Sequence, residues 1–137
     1  MKKLGLILAI FISFSVSGQS IVGKWKTIDD KTGKVKSQVE IYQNGNQFFG
    51  KIIEITDPVK QEALCTECSG DQNGKKILGM LIINNLTKED DEYGDGTILD
   101  PNNGKVYDCK VWLDEAGELQ VRGYIGWFFR TQTWQKA

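Results

Sequence analysis

Gly23-Lys24-Trp25-Lys26-Thr27-Ile28 is the stretch on which the reading of the fold turns. It opens a series of about eight short segments rich in β-branched and aromatic residues, separated by turn signals. The series ends in Arg130-Thr131-Gln132-Thr133-Trp134. Working outward, strands are expected over residues 21–28, 35–43, 47–55, 77–86, 96–100, 105–113, 118–124 and 127–134. Asp29-Asp30-Lys31-Thr32-Gly33 breaks the first from the second, because Asp bonds to nearby backbone and Gly accepts positive φ. Asn44-Gly45 is the strongest short hairpin signal. Further turns are expected at residues 88–94, at Pro101–Gly104 and at Asp114–Gly117. After residue 20 no stretch keeps a helical period for three turns.

Short antiparallel strands joined by tight turns satisfy every edge when they close on themselves. The expected fold class is therefore all-β: a single antiparallel up-and-down β-barrel of about eight strands, whose interior is filled by side chains or holds one small ligand. Tyr107, Cys109, Val111 and Leu113 share one face of a strand, with Asp108 and Lys110 on the other. Residues 47–55 and 77–86 are apolar on both faces, which fits strands whose outer side is covered by a loop or a partner. Residues 56–76 form the longest break, and such loops in compact domains are usually functional, cross-linked or flexible.

Lys2 and Lys3, an apolar run over residues 4–14 and small residues at 15–18 have the layout of a cleavable secretory signal. Cleavage is expected after Gly18, leaving residues 19–137 as one domain. The apolar run is shorter than the roughly 20 residues a permanent span needs, so no stable membrane anchor is expected. The expected compartment is periplasmic or secreted. Acidic residues number 18 and basic residues 17, of which Lys2 and Lys3 leave with the signal. Clustered positive charge is missing, which argues against nucleic acid as a partner. Only Arg122 and Arg130 are arginines, and both fall near the end of the chain.

The chain contains no histidine, which removes the commonest general base and the usual zinc ligand. No catalytic residues, metal or cofactor are expected. Cys65-Thr66-Glu67-Cys68 reads as a local disulfide stapling the long loop in an oxidising compartment. Pairing of Cys109 with one loop cysteine is the rival arrangement. Asp90-Asp91-Glu92 fails the calcium-loop pattern and reads as a solvated acidic turn. Aromatic residues offer the best functional lead. Tyr42, Phe49, Tyr107, Arg122, Tyr124 and Trp127 are the candidate ligand-binding residues, with Arg122 and Tyr124 as polar contacts in the cup. Trp127-Phe128-Phe129 puts large rings on both faces of one strand, so at least one must face outward or toward a mouth.

Gly23-x-Trp25 on a first strand resembles the entry motif of lipocalin-like barrels, in which an arginine from the last strand lies over the tryptophan. That resemblance makes Gly23, Trp25, Arg130 and Trp134 the expected structural closure. Gly23-x-Trp25, Asp29-Asp30-x-Thr32-Gly33, Cys65-x-x-Cys68-x-Gly70, Gly79, Ile98–Tyr107, Val121–Gly126 and Thr131–Trp134 carry a further likeness. Through them the mature chain, over nearly all of residues 21–136, resembles a family of exported bacterial proteins known as domain of unknown function 2147. Trp127-Phe128-Phe129 departs from it, since smaller apolar residues are expected there. The resemblance implies a lipocalin-like fold in the periplasm and assigns no activity. The expected role is non-catalytic binding of a small apolar or amphipathic ligand. The alternative is a filled barrel that binds a second copy of itself or another envelope protein.

Overall fold

The structure is a computed structural model and describes residues 20–137 together with the isolated positions 5 and 10. The export signal expected over residues 1–18 lies outside those described residues. Eight strands follow one another: β1 (Gly23–Ile28), β2 (Val35–Asn44), β3 (Gln47–Ile55), β4 (Leu81–Glu89), β5 (Glu92–Leu99), β6 (Val106–Leu113), β7 (Leu119–Ile125) and β8 (Phe128–Lys136). Each pairs antiparallel with the next, and β8 returns to β1 to close the barrel.

The turn chemistry explains the punctuation. The Asp29 carboxylate accepts from the backbone N–H groups of Lys31 and Thr32 at 2.8 and 3.0 Å. Those bonds, Thr32 first, hold its pKa below the ordinary value. Asp114 likewise accepts from Ala116 and Glu118, both at 2.9 Å, and Asp100 accepts from Asn102 at 2.9 Å. These aspartates cap turns.

Most strands fall within two residues of their expected limits, but two start four residues away. β4 begins at Leu81 rather than residue 77, because Ile77 and Leu78 end the long loop by packing against the core. β5 begins at Glu92 rather than residue 96, and the acidic segment narrows to a tight turn at Asp90–Asp91. Tyr93 drives this extension: it is buried edge-on against Phe48, ring centroids 4.9 Å apart.

Alternating strand direction gathers the turns at 29–34, 100–105 and 126–127, and the long loop, at one end. That end is the mouth. The opposite end is closed by Ile21, Trp25 and Trp134. Both indoles are 2% exposed; Trp25 Nε1 donates to the Ile21 carbonyl at 2.8 Å, and Trp134 Nε1 donates to Gln132 Oε1 at 3.2 Å. Above them Val39, Ile41, Ile83, Leu86, Val111 and Leu119 are completely buried, so they border neither solvent nor any void that holds water. Gly50 faces inward among them, and a Cβ there would lie 3.1–3.2 Å from Ile83 and Val39. The closed half of the lumen is thus filled with side chains.

The expected stacking of Arg130 on Trp25 is not how the seam is made. Trp25 is opposite Lys136, while Arg130 is opposite Gly123 near the mouth. Arg130 instead pairs with Asp30 in the β1–β2 turn, and Gln132 donates to the same carboxylate. Its side chain is 71% exposed, so the pair contributes about 0–1 kcal/mol. Trp25→Ala, by contrast, removes a buried indole and should cost about 3–5 kcal/mol. Urea unfolding of Trp25→Ala and Arg130→Ala checks the ordering; equal midpoints would refute it.

Candidate functional site

Strand register sorts the candidate residues between the lumen and the outer wall. Ile41, Gly50, Ile83, Ile98 and Tyr107 follow one another across β2 to β6 on the inward face. Tyr107 is half-buried below the mouth, and its hydroxyl accepts from Asn103 Nδ2 at 2.9 Å. Ile125 and Phe128 oppose each other above it at the tip of the β7–β8 hairpin. Trp127 is 84% exposed there and stacks on Phe128, centroids 4.4 Å apart. Ile125, Phe128 and Phe129 are also exposed, so the rim carries a continuous apolar stretch from one hairpin.

Tyr42, Phe49, Arg122 and Tyr124 do not line the cup. Tyr42 opposes Phe49 on the outer wall, where the rings stack at 5.8 Å and Lys51 Nζ lies 5.7 Å from the tyrosine centroid. Arg122 is likewise on the outside, because Val111 and Val121 take the inward positions beside it. Its guanidinium lies 4.8 Å from the Trp112 ring and 4.3 Å from the Phe129 ring, and Nε donates to Thr131 Oγ1 at 2.7 Å. Tyr124 flanks Phe129 with centroids at 6.0 Å. Nearby, Lys110 is paired with Glu92 at 2.5 Å, and that hydrogen bond raises the ammonium pKa. Strand parity could have separated these residues from Tyr107 in advance, since Arg122 and Tyr124 alternate with Val121 and Gly123.

The long loop folds against the outer wall. Cys65 and Cys68 form a disulfide, with Cα atoms 5.4 Å apart, and both are buried. Asn73 Nδ2 donates to the carbonyls of Thr66 and Cys68, and Gly104 sits so close to Glu67 that any Cβ would collide with its backbone. Gly104 also has φ of +70°, so two separate constraints require glycine. Between loop and wall lies a cavity of about 330 Å³. A larger, open trough of about 850 Å³ runs beside the acidic β4–β5 turn, past Asp108, Lys110 and Tyr124. Among the described residues no cluster of three cysteines or carboxylates is placed to hold a metal ion. Nor is any described helix long and apolar enough to cross a membrane.

Residues 23–136 match the model of a family described as "Uncharacterized protein conserved in bacteria (DUF2147)". The chain belongs to this family. A solved structure described as "Protein HP1028 from the human pathogen Helicobacter pylori belongs to the lipocalin family" is similar to it. The TM-score is 0.75 at 20% identity, covering 86% of this chain and 83% of that one. At that identity the likeness establishes the fold, a lipocalin-type closed barrel. A search of curated proteins finds no match.

Cys109, the inward thiol of β6, is free and buried, and burial pushes its pKa to about 12 from 9.0. Because the folded value is the higher one, the unfolded chain loses this proton first as pH rises. The thiol's contribution to stability is complete below pH 9 and lost between about 9 and 12. In native protein Cys109 should resist alkylation by iodoacetamide at pH 8 and react fully once denatured. Comparable rates in both states would contradict its burial.

Proposed function

We propose that this member of the family is an exported, non-catalytic binding protein that takes a small apolar or amphipathic ligand at the rim of its barrel. The observation that carries this reading is the coexistence of a filled lower lumen with exposed Ile125, Trp127, Phe128 and Phe129 at the mouth. A packed lumen leaves no deep cup, whereas rigid rings around an open end provide apolar contact at little entropic cost. Tyr107 below the rim adds a hydroxyl and an aromatic edge. Export is supported by the Cys65–Cys68 disulfide, a bond that persists in oxidising compartments.

The absence of catalysis rests on the chemistry at hand. The perturbed pKa values of Asp29, Lys110 and Cys109 trace to a turn, an ion pair and burial. Lys110 and Glu92 both border the open trough, where they are spent on one another as an ion pair. A second reading, recognition of another envelope protein or of a second copy, draws on the same rim, since exposed apolar patches mark partner surfaces.

Titration with the fluorescent apolar anion anilinonaphthalene sulfonate separates these readings. Saturable binding to a monomer, weakened about tenfold in Trp127→Ala (about 1.4 kcal/mol), is the expected result. Light scattering that shows a dimer, broken by the same substitution, would favour the second reading.

A further inference from the structure

We propose a second ligand site outside the barrel, in the cavity that the Cys65–Cys68 loop roofs against β4, β5 and β6. It takes a small uncharged molecule with an aliphatic body and an amide or hydroxyl group. The site lies on the opposite face of the β5–β6 wall from Tyr107 and does not depend on the rim reading. Register fixes this: Ile98 and Tyr107 point inward together, so Thr97, Leu99 and Val106 face out.

The cavity holds about 330 Å³, within the range of small-ligand pockets, roughly 300 to 1,000 Å³. Leu81, Leu99 and Val106 supply its apolar walls. Asn84 and Thr97, cross-strand partners on β4 and β5, bring an amide and a hydroxyl to one spot. Ser69 and Gln72 bring two more from the roof. Among the described residues none of these four side chains has a hydrogen-bond partner, whereas neighbouring Asn73, Asn85 and Asn103 are all engaged. An apolar wall with a few convergent, unengaged polar groups is the ordinary constitution of a binding pocket. The lining contains no ionisable side chain, because Cys68 is spent in the disulfide. A charged ligand would lose its hydration there without compensation.

The roof is built to hold its shape. Besides the disulfide, the Leu64–Lys76 bridge and the bond from Gly74 N–H to the Cys65 carbonyl at 2.9 Å close the loop on itself. Gly104 lets it seat directly on the β5–β6 turn.

The test is a titration of the full chain, isotopically labelled, with butyramide and with butyrate, followed by amide NMR shifts. Butyramide should saturate shifts at Ser69, Gln72, Asn84 and Thr97, and butyrate should bind at least about tenfold more weakly. Val106→Trp, at an exposed position on the cavity edge, should abolish the butyramide response. Thr97→Val, which keeps the shape, should weaken it several-fold. Trp127→Ala should leave it unchanged, which separates this site from the rim. Non-saturating shifts, equal response to both probes, or an undiminished response in Val106→Trp and Thr97→Val would each overturn the proposal.

Discussion

Pairing of the first strand with the last is the constraint from which the architecture follows, and it rests on a short seam. Trp25 stands opposite Lys136 and Lys26 opposite Gln135, with Ala137 N–H bonded to the Lys24 carbonyl at 3.0 Å. Each such backbone bond contributes only about 1 kcal/mol net. The seam is held because two indoles are buried directly beneath it, one from each strand. Their burial forces β1 and β8 to the same side of the core, and no strand edge is left open to another chain. Polar bonding and apolar packing act on the same few residues.

Much of the fold could be read from the sequence because turns and alternation are local properties. The Asp29–Gly33 and Asn44–Gly45 turns stand where side-chain-to-backbone bonding and glycine place them, and β3 fills the expected residues 47–55 between a tight turn and the long loop. What local signals could not supply was long-range. Tyr93 lies in an acidic stretch that reads as a turn, yet it belongs to a strand because Phe48, far away in sequence, offers it an edge-on contact. Arg130 invited an aromatic partner by analogy, but strand register carries it past Trp25 to Asp30. Register depends on every turn before it, so a residue's neighbours across the barrel are the last thing to become predictable.

The same distinction governs the sites. Of the candidate ligand contacts, Tyr107 and Trp127 stand at the mouth end, one below the rim and one on it. Tyr42, Phe49, Arg122 and Tyr124 are aromatic or cationic in a way that suggested ligand contacts, yet parity puts them on the outer wall. There Arg122 lies between Trp112 and Phe129 and stiffens the β6–β8 surface. The long loop covers part of the outer wall, over Leu81 of β4 and Leu99 of β5, and leaves Val106 of β6 at its margin. Loop and wall together make a roofed space that neither signals alone.

The distribution of the tryptophans has a spectroscopic consequence. Trp25 and Trp134 lie in the dry closed end, Trp112 sits against a guanidinium on the flank, and Trp127 projects into water. Emission from the first pair should be blue-shifted and deaf to iodide, while light from Trp127 should be red-shifted and readily quenched. The barrel therefore carries separate native lamps at its two ends, so that unfastening of the base and occupancy of the mouth can be followed as different colours without any added dye.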